Sequence, residues 1–178
     1  GAQAKANDRA KLALEMLLPY QSQIMIYCPN GAMGEQCARE LGFNVEVIYQ
    51  SASVQTTAQD TENAVEALIE QGVDLLLFAG GDGTARNICN SLNDSFPVLG
   101  IPAGVKIHSG VYAVTPKAAG EIVAMLVKGE LVTLGDQEVR DIDEDAFRAG
   151  AVRAKYYGEL QVPQEHRYLQ HVKNGAKE

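Results

Sequence analysis

An uninterrupted apolar stretch that opens directly into a glycine-rich turn is the feature that most limits how this chain can fold. Asp74 to Ala79 (DLLLFA) shows no alternation of polar and apolar residues, which is typical of a strand covered on both faces. Gly80 to Thr84 (GGDGT) follows at once, and helical periodicity runs from Thr84 to Leu92. A buried strand, a tight turn and a helix in this order predict one unit of a parallel α/β sheet.

The same alternation of strands and helices continues through the first two thirds of the chain. Further apolar strands are predicted at Gln23 to Cys28, Asn44 to Tyr49 and Pro97 to Ile101. Helical spacing ends near Pro19 and returns at Met33 to Leu41, Thr57 to Gln71 and Lys117 to Val127. This order predicts an α/β fold with a doubly wound, mostly parallel sheet.

The character of the chain changes after Gly129. From Glu130 to Arg148 there are seven acidic residues and two arginines. Val152 to Val162 then alternates, placing Tyr156 on one face with Leu160 and Val162, which predicts a half-buried antiparallel strand beside Glu138 to Ile142. We therefore divide the chain into an α/β nucleotide- and phosphate-binding domain (1–129) and an acidic connector with a partial β-rich second domain (130–178). Two strands alone are marginal in water, so we expect a fragment of a longer protein.

Composition narrows the class of protein. Lys and Arg total 15 against 23 Asp and Glu, a net charge of −8, so the chain has no surplus of positive charge to neutralise nucleic-acid phosphates. No run of about 18 apolar residues is present, so no membrane span is predicted. The three cysteines, Cys28, Cys37 and Cys89, show no metal-ligand spacing and indicate free thiols. We expect a cytoplasmic protein without a nucleic-acid or membrane partner.

The turn from Gly80 to Thr84 has the residues that a phosphate site needs. Its glycines let a phosphate approach the backbone, and the following helix offers unpaired N–H groups. Asp82 could coordinate a phosphate-bound Mg²⁺ or take a proton from an attacking hydroxyl. Arg86 and Asn87 either reach the phosphate or face solvent. The alternative is an ordinary tight turn in which Thr84 caps the helix and Asp82 bonds its own backbone.

A second glycine-containing loop, Gly100 to Gly110 (GIPAGVKIHSG), follows the next strand. The carboxyl ends of neighbouring parallel strands meet at one edge, so this loop is expected beside the first. The candidate ligand contacts in it are Gly104, Lys106, His108 and Ser109. For Lys106 the alternative is a surface lysine, and for His108 a solvent-facing or hydrogen-bonded structural histidine.

Two common phosphate motifs are not present. A Walker loop needs a Gly-Lys-Ser/Thr ending, and the chain has no such triplet. The dinucleotide fingerprint Gly-x-Gly-x-x-Gly begins at Gly81 and Gly83, but Arg86 occupies the position of the third glycine.

At these two loops the chain resembles the ATP-NAD kinase family and the related diacylglycerol and sphingosine kinases. The motif GGDGT at Gly80 to Thr84 is the hallmark of that group, and Pro97 to Gly104 (PVLGIPAG) lies where the family has its next loop. Val105 to Pro116 (VKIHSGVYAVTP) is most similar to the AcoX-like branch. The resemblance implies transfer of a phosphoryl group from ATP or polyphosphate, with Mg²⁺, to a hydroxyl such as that of the NAD ribose, in NADP biosynthesis.

The resemblance also assigns roles to residues. Asp82 would be the base for the acceptor hydroxyl, and Gly80, Gly81, Gly83 and Thr84 would shape the phosphate site. A homo-oligomer acting on a small molecule is implied. The chain departs from the family in lacking an Asn-Glu pair and in carrying Pro102 and Ala103 in the second loop. The acceptor therefore stays open between NAD and a lipid or other small polyol, and a non-catalytic nucleotide-binding accessory module is the alternative outside enzymes.

Overall fold

Strands and helices alternate along the chain in the computed structural model, which describes residues 2–51, 57–92, 95–104, 106–130, 132–142, 146, 148–151 and 153–165. The helices are α1 (Ala2–Glu15), α2 (Glu35–Glu40), α3 (Ala58–Gln71), α4 (Asp82–Ser91) and α5 (Pro116–Val127). The strands are β1 (Met25–Pro29), β2 (Asn44–Tyr49), β3 (Leu76–Gly80), β4 (Val98–Pro102), β5 (Thr133–Ile142) and β6 (Ala154–Gln164). Within these ranges no helix is both long and apolar enough to span a bilayer.

The predicted α/β fold with parallel strands is confirmed. β1 pairs with β2 in parallel, and β3 pairs with β4 in parallel, with Leu76 opposite Val98 and Gly80 opposite Pro102. β5 and β6 form an antiparallel pair. Among the described residues, hydrogen-bonded ladders join the strands as three pairs rather than as one continuous sheet. The acids at 143–145 and the tail at 166–178 lie outside the described residues.

Helix α3 shows how local sequence sets the boundaries of these elements. The Thr57 hydroxyl accepts the backbone N–H of Asp60, and the Asp60 carboxylate accepts the backbone N–H of Thr57 in return. This reciprocal pair satisfies donors that the first helical turn cannot use. At the other end Gly72 adopts φ +83°, a conformation that glycine tolerates without strain. The helix predicted from Thr57 to Gln71 is confirmed.

One apolar core links the parallel strands to the β5–β6 pair. Every residue from Val98 to Ile101 is buried, as expected for a strand covered on both faces. Val139, Leu160 and Val162 of the antiparallel pair belong to the same buried cluster, and Pro97 forms an isolated parallel bridge with Gln161. The domain boundary at 129 stays a prediction, but the two strands beyond it obtain their burial from the α/β part.

A β-bulge overturns the strict alternation expected in β6. Val139 lies opposite Gly158, whereas its neighbour Arg140 lies opposite Tyr156, so Tyr157 is an extra residue in the ladder. A bulge of this kind reverses the faces of the residues on one side of it. Tyr157 therefore packs against the core and Tyr156 is 48% exposed. The expectation that Tyr156 shares a face with Leu160 and Val162 was wrong for this reason.

Helices α1 and α5 cross at a glycine. A Cβ atom on Gly120 would lie 2.8 Å from the Cβ of Met16 and closer still to the carbonyl oxygen of Ala13. Real Cβ atoms do not approach their neighbours so closely, so the two helices can cross here only because glycine has no side chain. Since α1 also packs on β3 and β4, the same crossing supports the strands that lead to the two loops.

Replacing Gly120 by Ala should therefore separate α1 from α5. Overpacking of this kind costs about 1–3 kcal/mol, and we expect the free energy of unfolding in urea to fall by that amount. Gly83→Ala is the matched control, because Gly83 is also helical and a Cβ there meets nothing within 4 Å. The control should gain up to about 1 kcal/mol from helix propensity. Equal stabilities of the two variants would contradict the close crossing.

Candidate functional site

The two glycine-containing loops meet where β3 and β4 end side by side. Gly80 is paired with Pro102 in the ladder, and the backbone N–H of Ala103 donates to the carbonyl oxygen of Gly80 at 2.9 Å. A Cβ on Gly104 would lie 3.6 Å from the Cα of Gly81, so the two backbones are almost in contact. The predicted juxtaposition of the loops is present in the structure.

The turn itself requires glycine and leaves the start of α4 open. A Cβ on Gly80 would lie 2.8 Å from the Cβ of Thr84, so the turn could not close with a larger residue. Helix α4 begins at Asp82, two residues earlier than predicted, and no side chain caps it at Gly81. The first N–H groups of a helix have no intrahelical acceptor, and Gly83 is exposed. This end of α4 can therefore receive a phosphate through backbone N–H groups.

The Asp82 carboxylate joins the first loop to the second. Its Oδ1 accepts the backbone N–H of Ser109 at 3.0 Å, and its Oδ2 accepts the backbone N–H of His108 at 2.8 Å. The Nδ1 atom of the His108 ring lies 2.9 Å from the same Oδ2. Asp82 is only 7% exposed, so these three contacts replace water around the carboxylate. The side chain points into the second loop from the first residue of α4.

Ser109 continues this connection to strand β5. Its hydroxyl donates to the carbonyl oxygen of Arg140 and accepts the backbone N–H of Arg140, both at 2.9 Å. The backbone N–H of Gly110 donates to the carbonyl oxygen of Glu138 at 2.8 Å. The predicted ligand contact Ser109 is thus buried and used internally, and it fixes the second loop on β5.

The Tyr112 side chain holds the turn in place through a hydrogen bond to its backbone. The sequence analysis did not identify Tyr112 as part of the site. Its hydroxyl donates to the carbonyl oxygen of Gly81, and its ring packs edge-on against Phe78 with 5.4 Å between centroids. A Cβ on Gly100 would lie 2.6 Å from Cε1 of the Tyr112 ring and closer still to Cδ1, so the glycine in β4 makes the space for the ring. The sequence signal for this role was the position of Tyr112 in the apolar segment Val111 to Val114, which comes after a strand that contains Gly100.

The comparison with protein families agrees with this geometry. Residues 2–131 match the family model described as the ATP-NAD kinase N-terminal domain. The chain belongs to the ATP-NAD kinase family. No curated protein and no solved structure matches the chain significantly. Membership supports kinase-type chemistry on a small-molecule substrate and nucleotide binding by this domain.

The other predicted ligand contacts, Arg86, Asn87 and Lys106, lie in different surroundings. The Arg86 guanidinium lies 4.0 Å from the centroid of the Tyr157 ring, and its Nη1 lies 3.2 Å from Oδ2 of Asp141. Arg86 thus extends toward the β5–β6 pair. Asn87 is half-buried on α4 and Lys106 is exposed on the second loop. Phosphate contacts by these three residues stay predictions.

ATP-NAD kinases generally use ATP with a divalent metal, and the residues around Asp82 are the candidates to hold such an ion. Both oxygens of Asp82 already accept hydrogen bonds from His108 and Ser109. Across the part of the chain that the structure describes, no three His, Cys, Asp or Glu side chains converge on one point. The arrangement does not fit a metal held by the protein's own side chains. Mg²⁺ is commonly bound largely through water and substrate phosphates, and the described residues around Asp82 are compatible with that route.

Loss of the Tyr112 hydroxyl should destabilise the turn without disturbing the core. Tyr112→Phe keeps the ring but removes this bond, so the half-buried carbonyl oxygen of Gly81 keeps only the backbone N–H of Ala85 as a donor. We expect the free energy of unfolding at pH 7 to fall by about 0.5–1.5 kcal/mol in urea, the net contribution of one hydrogen bond. Tyr49→Phe is a suitable control, because that hydroxyl bonds Asp60 away from the two loops. Unchanged stability of Tyr112→Phe would contradict a structural role for the bond.

The same variant should change the dependence of stability on alkaline pH. Burial, followed by the nearby charges of Asp82 and Asp141, raises the pKa of Tyr112 well above its ordinary value of 10.0. The unfolded chain releases this proton above about pH 10 while the folded chain retains it, so stability present below that pH is lost above it. Tyr112→Phe lacks this contribution and should lose stability less steeply above about pH 10. Identical slopes for both proteins would contradict a buried neutral phenol.

Proposed function

We propose that this chain forms the nucleotide-binding part of a phosphotransferase that moves a phosphoryl group from ATP or polyphosphate to a hydroxyl acceptor such as the NAD ribose. The observation that carries the proposal is the meeting of the two family loops through Asp82 at an uncapped helix start. An open set of backbone N–H groups and a fixed carboxylate thus lie side by side. Phosphoryl transfer requires mainly positioning and stabilisation of charge, which such a site supplies.

Each part of the site takes a role in this reaction. The N–H groups at the start of α4, with Gly80, Gly81, Gly83 and Thr84 shaping the turn, hold the phosphoryl group and stabilise its developing charge. Gly104 and Lys106 of the second loop face the same ligand. The acceptor oxygen attacks the terminal phosphorus, and the bond to the nucleoside diphosphate breaks. The hydroxyl proton is taken up by the pair formed by Asp82 and the His108 ring that contacts its carboxylate.

The remaining parts of the proposal concern the setting of the reaction. We place the enzyme in the cytoplasm, with Mg²⁺ arriving on the phosphates of ATP and a homo-oligomer as the working form, as family membership suggests. NAD is the acceptor that the family name indicates. A panel with NAD, a diacylglycerol, a sphingoid base and small polyols separates this acceptor from the lipid or polyol alternative.

Replacement of the Asp82 carboxylate tests the proposal. In the full-length protein, Asp82→Asn keeps the size of the side chain but loses its negative charge. We expect kcat for phosphorylation of NAD by ATP to fall by at least about 100-fold, with nucleotide binding retained in calorimetry. Asp136→Asn is the matched control, because Asp136 is exposed on β5 and should leave turnover unchanged.

Three results would go against the proposal in different ways. Turnover of Asp82→Asn at the rate of the wild type would remove Asp82 from the reaction. Phosphorylation of another acceptor but not NAD would correct the substrate. Nucleotide binding by the full-length wild type without phosphoryl transfer to any acceptor would instead indicate an accessory module.

A further inference from the structure

His108 lies between the buried Asp82 carboxylate and the protein surface. Its Nδ1 is 2.9 Å from Oδ2 of Asp82, and its own backbone N–H donates to the same oxygen. The side chain is 34% exposed, whereas Asp82 is nearly covered. Of these two groups, the imidazole is the one that an incoming acceptor can reach.

The contact with Asp82 fixes which ring nitrogen carries the proton. The backbone N–H groups of His108 and Ser109 donate to both oxygens of Asp82, and a carboxylate only accepts hydrogen bonds. The ring must then donate from Nδ1. In a neutral imidazole with its proton on Nδ1, the lone pair lies on Nε2, on the far side of the ring from Asp82.

We propose that Nε2 of His108 accepts the proton of the attacking hydroxyl, with Asp82 and Ser109 as positioning residues. This rests on the proposed phosphoryl transfer. The O–H bond breaks and its electrons form the new O–P bond, while the proton passes to Nε2. The P–O bond to the nucleoside diphosphate breaks and its electrons leave with the diphosphate. The imidazolium is stabilised by the Asp82 carboxylate and later returns its proton to water.

The position of the ring supports this assignment. His108 contacts the first residue of α4, so the imidazole lies beside the helix end that would hold the phosphoryl group. The loop that carries it is fixed, because the next residue, Ser109, bonds both backbone groups of Arg140 on β5. A proton acceptor held in place beside a phosphate site is the arrangement that hydroxyl attack requires.

His108→Asn separates a catalytic role from a structural one. The Asn amide can donate to Asp82 in place of Nδ1, so the loop contact is kept, but nothing replaces Nε2 as a base. In the full-length protein we expect kcat to fall by at least about 100-fold, with calorimetric ATP binding unchanged. His108→Ala should recover part of its activity with added imidazole. The double variant with Asp82→Asn should be about as slow as the slower single variant, because the two residues act as a unit.

A second measurement does not depend on activity. Long-range proton–nitrogen correlation spectra of ¹⁵N-labelled wild-type protein report which ring nitrogen carries the proton, and we expect Nδ1–H for His108. Loss of the Asp82 charge in Asp82→Asn should weaken this preference. This readout decides the assignment even if His108→Asn does not fold.

The outcomes separate this inference from the proposed function. Wild-type turnover retained by His108→Asn, or a resting ring protonated on Nε2, would overturn the role of His108 and leave the kinase proposal standing. A full-length wild type that phosphorylates no acceptor would overturn the proposed function and this role with it. A slow His108→Asn variant that binds ATP, together with imidazole rescue and an Nδ1–H ring, would support the assignment.

Discussion

The carboxylate of Asp82 is the point at which separate segments of this molecule are joined. It belongs to the first turn of α4, yet its hydrogen bonds go to the backbone of His108 and Ser109, and Ser109 in turn holds the backbone of Arg140 on β5. Where these groups are buried, water cannot replace a lost hydrogen bond, so removing one partner leaves the other groups without a hydrogen-bond partner. Asp82 therefore connects the helix start to the second loop, and through Ser109 of that loop to the antiparallel pair.

Close backbone approach gives the site its second constraint. Tyr112 fits beneath the turn because Gly100 has no side chain, and the turn closes on Thr84 because Gly80 has none. A phosphate held there would meet main-chain N–H groups, which recognise phosphate without distinguishing one nucleotide from another. Selection of the acceptor must then come from side chains around the turn. Ala103 contributes little to this selection. Its side chain is a methyl group, and its backbone N–H already donates to the carbonyl oxygen of Gly80.

Local patterns in the sequence were sufficient to predict the strand, turn and helix around Asp82, because each element is determined by residues that are neighbours in the chain. The partners of Asp82 were not predictable in the same way, since they come from a loop about 26 residues further along the chain. Tyr156 was placed on the wrong face because a bulge depends on the pairing of β6 with β5, which period-two counting cannot detect. For Arg86 the sequence left two alternatives, contact with phosphate or exposure to solvent. Its contact with the Tyr157 ring involves the extra residue of the bulge and could not be predicted from local periodicity either.

These contacts indicate how much of the chain the proposed phosphate site needs. The family match ends at residue 131, but the second loop is fixed by Glu138 and Arg140, and α4 contacts Asp141 and Tyr157 through Arg86. Val139, Leu160 and Val162 add to the same core. A segment limited to the matched residues would retain the GGDGT turn but lose the strand on which its neighbouring loop rests. Since the proposed phosphoryl transfer depends on fixed geometry, the β5–β6 pair would be part of the structure that the reaction needs, although it carries neither of the two loops.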